Sequence, residues 1–182
     1  MKRINTTNRE LAIKNFSNSF LLHLLKEDVS PENLVFICIG TPLVSGDSLG
    51  PAIGETLKQY NLRNIYGTKS DPVHALNLTE KFSAIKKKHP GAFIVAIDAS
   101  FGTRIHLGNI CFDKGPIFPG QGVRKELPPI GDLSITAIVC SNGPLRQKRL
   151  ELTPIRKISI QADIISRGIL QSMMILTILQ KI

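Results

Sequence analysis

The chain has 182 residues, 42% hydrophobic and 20% charged, which suits one domain with its own core and excludes a disordered or fibrous chain. Its 23 Lys and Arg against 14 Asp and Glu give a net charge of +9, yet the basic residues fall in short clusters and aromatic residues make up only 5%, so no specific nucleic-acid partner is expected. Cys38, Cys111 and Cys140 stand far apart with no C-x-x-C pair, which argues against a zinc knuckle or a disulfide framework and for a reducing, cytoplasmic setting.

In chain order, Phe16, Phe20 and Leu24 recur every fourth residue and predict an amphipathic helix over Leu11 to Lys26. Leu34 to Ile39 is a continuous, β-branched apolar run, as expected of a strand covered on both faces. Asp47 or Ser48 is placed to cap a helix that carries Pro51 in its first turn and runs to about Tyr60. A short strand over Asn64 to Gly67 comes next. Asp71 then reads as an N-cap, with Pro72 opening a helix that runs to Lys88 and stops at Pro90-Gly91. Phe93 to Ile97 is a second buried strand, closed by Asp98.

Between Gly102 and Gly131 recurring Gly and Pro forbid a long helix, and hairpin-like strands are expected around Asn109 to Phe112. Ile135 to Val139 predicts another strand, Ser141 to Pro144 a turn, and Ile158, Ile165, Ile169, Met173 and Leu176 a long helix from about Pro154. Its apolar end, Gly168 to Leu179, is broken by Gln171 and Ser172 and is shorter than the roughly 20 residues of a bilayer span, so it is expected to be buried in protein rather than in a membrane. Phe20 to Leu25, interrupted by His23, is too short for the core of an export signal. Strands alternating with helices predict an α/β fold: a mainly parallel sheet between two helical layers, the three-layer α/β/α sandwich. The whole chain, 1–182, is expected to be one domain, with residues 1–30 as a helical extension on a core over 32–182.

Ligands of open parallel sheets bind at the carboxyl ends of the strands, and two acidic residues are expected there, Asp47 and Asp98. Two carboxyl groups close together push their proton affinities apart and can activate water. His74, read as lying in the first turn of a helix, is an accessory candidate as base or ligand. No cofactor is required by the sequence; a divalent metal, if one binds, would take Asp47, Asp98 and His74. Ser48 belongs to a Gly-Asp-Ser-Leu run that matches the opening of the GDSL esterases, and Asp71-Pro72-Val73-His74 matches their D-x-x-H pair, but here that pair comes early and no G-x-N-D block exists. Ser48 is therefore expected to start a helix. Cys140, closing an apolar strand, reads as a small buried hydrophobe.

Five ordered blocks, CIGTPLVSGDSLGP, YGTKSDPVHALNL, AIDAS, GPIFPGQGVRKELPPIGD and ITAIV, resemble the YyaC family of sporulation proteins from about Leu34 to the C-terminal helix. That family is similar to the spore germination protease and to the hydrogenase maturation endopeptidases, and the resemblance implies their α/β/α fold. It also implies roles for the matching aspartates, Asp47 and Asp98: catalytic in the germination protease, and binding the substrate's nickel with a histidine in the maturation endopeptidases. Three functional expectations stay open. The first is an endopeptidase-like protein that cleaves a protein or peptide, such as a spore-core protein, in the forespore or mother cell. The second is a non-catalytic sporulation protein that keeps the fold as a binding module. A serine esterase using Ser48 is the third.

Overall fold

The central strands bury both faces, as their unbroken apolar runs require. Along Leu34 to Ile39, Leu34, Phe36 and Cys38 enter one hydrophobic cluster while Val35, Ile37 and Ile39 enter another, one on each side of the sheet. The computed structural model describes residues 1–119 and 127–180. Its elements are β1 (Lys2–Ile4), α1 (Arg9–Lys26), β2 (Leu34–Cys38), α2 (Leu49–Gln59), β3 (Ile65–Tyr66), α3 (Leu78–Lys88), β4 (Phe93–Gly102), β5 (Ile110–Lys114), β6 (Leu133–Ser141), α4 (Arg146–Glu151) and α5 (Ile155–Leu179). Six strands form one mixed sheet in the order β1-β5-β6-β4-β2-β3. Strands β3, β2, β4 and β6 run parallel, and β5 and β1 are antiparallel additions at one edge. Helices α1, α2 and α5 bury their apolar faces in the cluster on one side, and Leu78 and Ile85 of α3 lie in the cluster on the other. The α/β class and the mainly parallel sheet agree with the sequence reading.

Helix α1 belongs to the larger core. Phe16 is fully buried, with its ring centroid 4.6 Å from that of Phe112 in β5, and Phe20 lies 6.2 Å from Phe36 in β2. The approach of α1 to α5 depends on Gly168, since a Cβ there would lie 2.3 Å from the Phe16 ring. The two helices are also joined by the Ser17–Ser172 hydroxyl contact of 3.1 Å. Helix α5 is long and apolar enough to cross a membrane by length and composition, but half of its most apolar stretch is buried, the face with Ile165, Ile169 and Met173 in the core.

Three expectations need correction, and two elements were not foreseen. Strand β4 does not end at Asp98 but runs on to Gly102, because β6 continues beside it through Ser141, with an irregularity between Ser100 and Phe101. Helix α3 starts at Leu78 rather than after Asp71. Val73 instead bridges Ile39 in parallel, after a turn in which the Thr68 N–H donates to the Asp71 carbonyl. Asp71 caps nothing: it is exposed and ion-paired with Lys81. Strand β1 and helix α4 were not anticipated, being shorter than a period can reveal. In the Gly/Pro-rich stretch Ile117 pairs with Ile130, and the part over 120–126 lies outside the described residues.

Phe16→Ala should lower the unfolding free energy by about 3–5 kcal/mol, the usual cost of emptying a fully buried aromatic site. Urea denaturation measures it, and a loss below about 1 kcal/mol would show that α1 is separable from the core.

Candidate functional site

The strand order places a crevice between β2 and β4. From β2 the chain leaves through α2 toward β3 on one side, whereas from β4 it leaves toward β5 and β6 on the other, so the two connections diverge at the carboxyl ends of these neighbours. Asp47 and Asp98 lie at this switch point. Asp98 stands one residue beyond the last paired position of β2 and β4, Cys38 with Ile97. It shares its register position with Thr136 of β6, so the two side chains lie on the same face of the sheet.

Asp47 ends a single 3-10 turn, Ser45–Asp47, inside the β2–α2 loop. The backbone N–H of Thr41 donates both to the Asp47 carbonyl, at 3.1 Å, and to carboxylate Oδ2, at 2.9 Å. The loop closes this tightly because residue 40 is glycine: its φ is +139°, and a Cβ there would lie 2.0 Å from the Asp47 carbonyl oxygen. Asp47 therefore folds back on its own loop and does not cap α2.

Both carboxyl groups are half-buried, and both hold their protons more tightly than usual. Burial pushes Asp47 up to about 6, with the Thr41 N–H and the nearby His74 acting in the opposite direction. Asp98 is raised well above the carboxylate range, first by burial and then by the charge of Asp47, although the Ala99 N–H donates to its Oδ1 at 2.7 Å. The sensitivity of Asp98 to Asp47 means that the two occupy one electrostatic neighbourhood.

His74 joins them, by a route other than the one expected. It lies in the turn before α3, where its N–H donates to Asn77 Oδ1 at 2.9 Å and Asn77 Nδ2 donates to the Pro72 carbonyl at 3.0 Å. Its Nδ1 is a buried atom with no hydrogen-bond partner among the described residues. Among those residues no group of three or more His, Cys, Asp and Glu is placed to hold a metal ion, so Asp47, Asp98 and His74 do not form a ligand set.

Ser48 precedes the first residue of α2, as expected, but donates its hydroxyl to the Ser45 carbonyl at 2.7 Å instead of capping the helix. With Asp71 paired to Lys81, the D-x-x-H run supplies no acid to orient His74. Cys140 is buried, and burial pushes its thiol up, so it is no thiolate nucleophile. One contributor, Thr41, and one polar neighbour of Asp98, Thr136, were not singled out in the sequence. Thr41 acts through its backbone, which leaves no side-chain signal. Thr136 did leave one: it is the polar residue between Ile135 and Ala137, which face the core from the other side of β6.

The family model described as Protein of unknown function (DUF1256) matches residues 4–168 and so takes in α1, which the sequence resemblance left outside. The "Uncharacterized protein YyaC" of Bacillus subtilis (strain 168) is 46% identical over 112 residues, 60% of this chain and 55% of that protein. The chain thus spans about half the length of this curated relative. Among solved structures, the NiFe hydrogenase maturation protease HycI from Thermococcus kodakarensis KOD1 superposes with a TM-score of 0.40 at 17% identity, covering 72% of this chain and 91% of that one. By the extent of the family match, the protein belongs to the DUF1256 family, in agreement with its likeness to YyaC.

Proposed function

We propose that the protein is an endopeptidase that hydrolyses a peptide bond of a protein substrate with Asp47 and Asp98. The observation that carries this reading is the meeting of Asp47 and Asp98 at the carboxyl ends of β2 and β4, where burial raises both and the charge of Asp47 raises Asp98 further. In this reading Asp98, raised by burial and by the charge of Asp47, is the partner that carries the proton, and Asp47 is the base. Asp47 then takes a proton from water, whose oxygen attacks the scissile carbonyl carbon, and the protonated Asp98 donates a hydrogen bond to the carbonyl oxygen as it gains charge. Collapse of the tetrahedral intermediate breaks the C–N bond, and the amine leaves with the proton that Asp47 took. His74, close to Asp47 and with Nδ1 unpartnered, is suited to hold the water or a backbone group of the substrate. No step passes through a metal. The sequence blocks shared with sporulation proteins support a spore-core protein as substrate, in the forespore or mother-cell cytoplasm.

Purified protein incubated with a spore-core extract is expected to yield a defined product by mass spectrometry, lost in Asp47→Asn and Asp98→Asn and kept in Ser48→Ala. Cleavage that survives both aspartate substitutions would end this reading. Because Asp47 works ionised, the rate should fall about tenfold per pH unit below its value of about 6.

The same shifts set a pH dependence of folding. Both carboxyl groups are raised in the folded protein, so as pH rises the unfolded chain releases these protons first and the native state binds more. Stability should therefore decline from near the ordinary Asp value of 3.8 upward, and the Asp47 share should level off above about 6. That share amounts to as much as about 3 kcal/mol by linkage. Thermal unfolding across this range should show a flatter profile for Asp47→Asn, and an unchanged slope would mean that the carboxyl group is not buried as described.

A further inference from the structure

Among the described residues, the five most exposed large apolar side chains all lie at the sheet edge that carries this crevice. Leu43 is 91% exposed, Ile105 84% and Leu76 80%, and Leu145 and Leu152 are each 71% exposed. Each lies on a segment that leaves the carboxyl end of a parallel strand: Leu43 after β2, Leu76 after β3, Ile105 after β4, and Leu145 and Leu152 after β6. Water-facing leucines scattered over a surface need no explanation, but one set carried by all four parallel strands to the same edge does. Leu145 adds strain to exposure, since it is a non-glycine residue in the left-handed region, with φ of 57°. That conformation turns the chain into α4 while its own side chain stays in solvent.

The same edge is basic. Between Ser141 and Lys157 the chain carries five Lys and Arg against the single acidic Glu151. This segment is tied to the Asp47 loop: Ser45 Oγ donates to the Thr153 carbonyl at 2.6 Å, and Leu150 packs against Gly46. The Arg146 guanidinium lies 5.4 Å from the centre of the Phe101 ring, and Arg149 donates to Ser141 Oγ at 2.7 Å and to the Pro144 carbonyl at 3.0 Å. Two of these five positive charges, Arg146 and Arg149, are thus held in place on the helix that packs against the Asp47 loop.

We propose that this rim is the substrate-docking surface, and that its occupant is a protein segment mixing acidic residues with bulky apolar ones; the proposal rests on the peptidase reading of the crevice. The Lys and Arg side chains complement carboxylates, and the leucine and isoleucine side chains lose water only against apolar partners. Single-stranded nucleic acid fits the charge but not the rest, because stacking needs aromatic faces and these apolar side chains are aliphatic.

The test uses the full chain carrying Asp98→Asn, so that binding is read without cleavage. Fluorescence anisotropy is measured with four labelled probes: 16-residue peptides built from Glu and Leu, from Lys and Leu, and from Glu and Ser, and a 16-nucleotide oligouridylate. The Glu/Leu peptide should bind at least tenfold tighter than each of the others. Adding Leu43→Ser with Ile105→Ser should weaken it about tenfold, and Arg146→Ala with Lys148→Ala should weaken it and reduce its salt dependence. Leu145→Gly should raise the melting temperature, by relieving the backbone, and still weaken binding, a combination that a purely structural residue would not produce. Equal binding of the Lys/Leu or Glu/Ser peptide, or tighter binding of the oligonucleotide, overturns the proposal. Peptide binding without any cleavage by the unsubstituted protein would sink the aspartate mechanism and leave the docking surface standing.

Discussion

The double acceptance of the Thr41 N–H by the carbonyl and the carboxylate of Asp47 is the contact on which the site depends. It turns the β2–α2 loop back across the end of its own strand and leaves the carboxyl group at the crevice rather than at the start of α2. The turn requires a residue without a Cβ at position 40, where the Asp47 carbonyl oxygen would otherwise be struck. It also requires α2 to begin immediately afterwards, which the Ser48 hydroxyl favours by closing onto the Ser45 carbonyl. One short loop therefore fixes both the direction of a carboxylate and the position of a helix whose buried Ile53 and Leu57 hold it against the sheet.

Two carboxyl groups in such a place oppose folding, and the fold meets that cost with few hydrogen bonds. A carboxylate satisfied by several backbone N–H groups would be pulled down in proton affinity. Here each side chain accepts one backbone donor, Thr41 for Asp47 and Ala99 for Asp98, and burial outweighs that single bond in both. The asymmetry between the two arises from position. Asp98 comes from the middle of a strand paired on its β6 side, whereas Asp47 comes from a loop. The more deeply buried Asp98 is accordingly raised both by burial and by the charge of Asp47, whereas burial alone raises Asp47.

Much of this was legible in the sequence, for identifiable reasons. Buried strands announce themselves as unbroken apolar runs, so β2 and the first half of β4 were readable, and with them the arrival of Asp47 and Asp98 at one edge. The four-residue recurrence of Phe16, Phe20 and Leu24 gave α1, although nothing local said that α1 packs in the same core as α5. Strand order was not readable, because it is decided by which strands pair across long stretches of chain, and the crevice exists only through that order. The start of α3 was misread since Asp71-Pro72 carries a good local signal for a helix start, and a tertiary contact, Val73 on Ile39, overrode it. That one bridge moved His74 from a helix to a turn and still brought it to the crevice.

The late start of α3 also explains how the edge acquires its chemical character. Residues 68–77 run as bends and turns around the single bridge at Val73 instead of as helix, so they do not present one common apolar face to the core. Val73 is buried against the second core while Leu76, three residues on, is 80% exposed. The segment after β6 behaves alike: Thr153 is buried and bound to the Asp47 loop, yet its neighbour Leu152 faces solvent. Two of the loops around the crevice, those after β3 and β6, are thus each anchored by one buried residue and project an apolar one, and the Thr153 anchor is bound to the Asp47 loop itself. A ligand meeting that rim would have to order the exposed side chains themselves but not the backbone beneath Leu76 and Leu152, which Val73 and Thr153 already hold, and that lowers the entropy lost on binding.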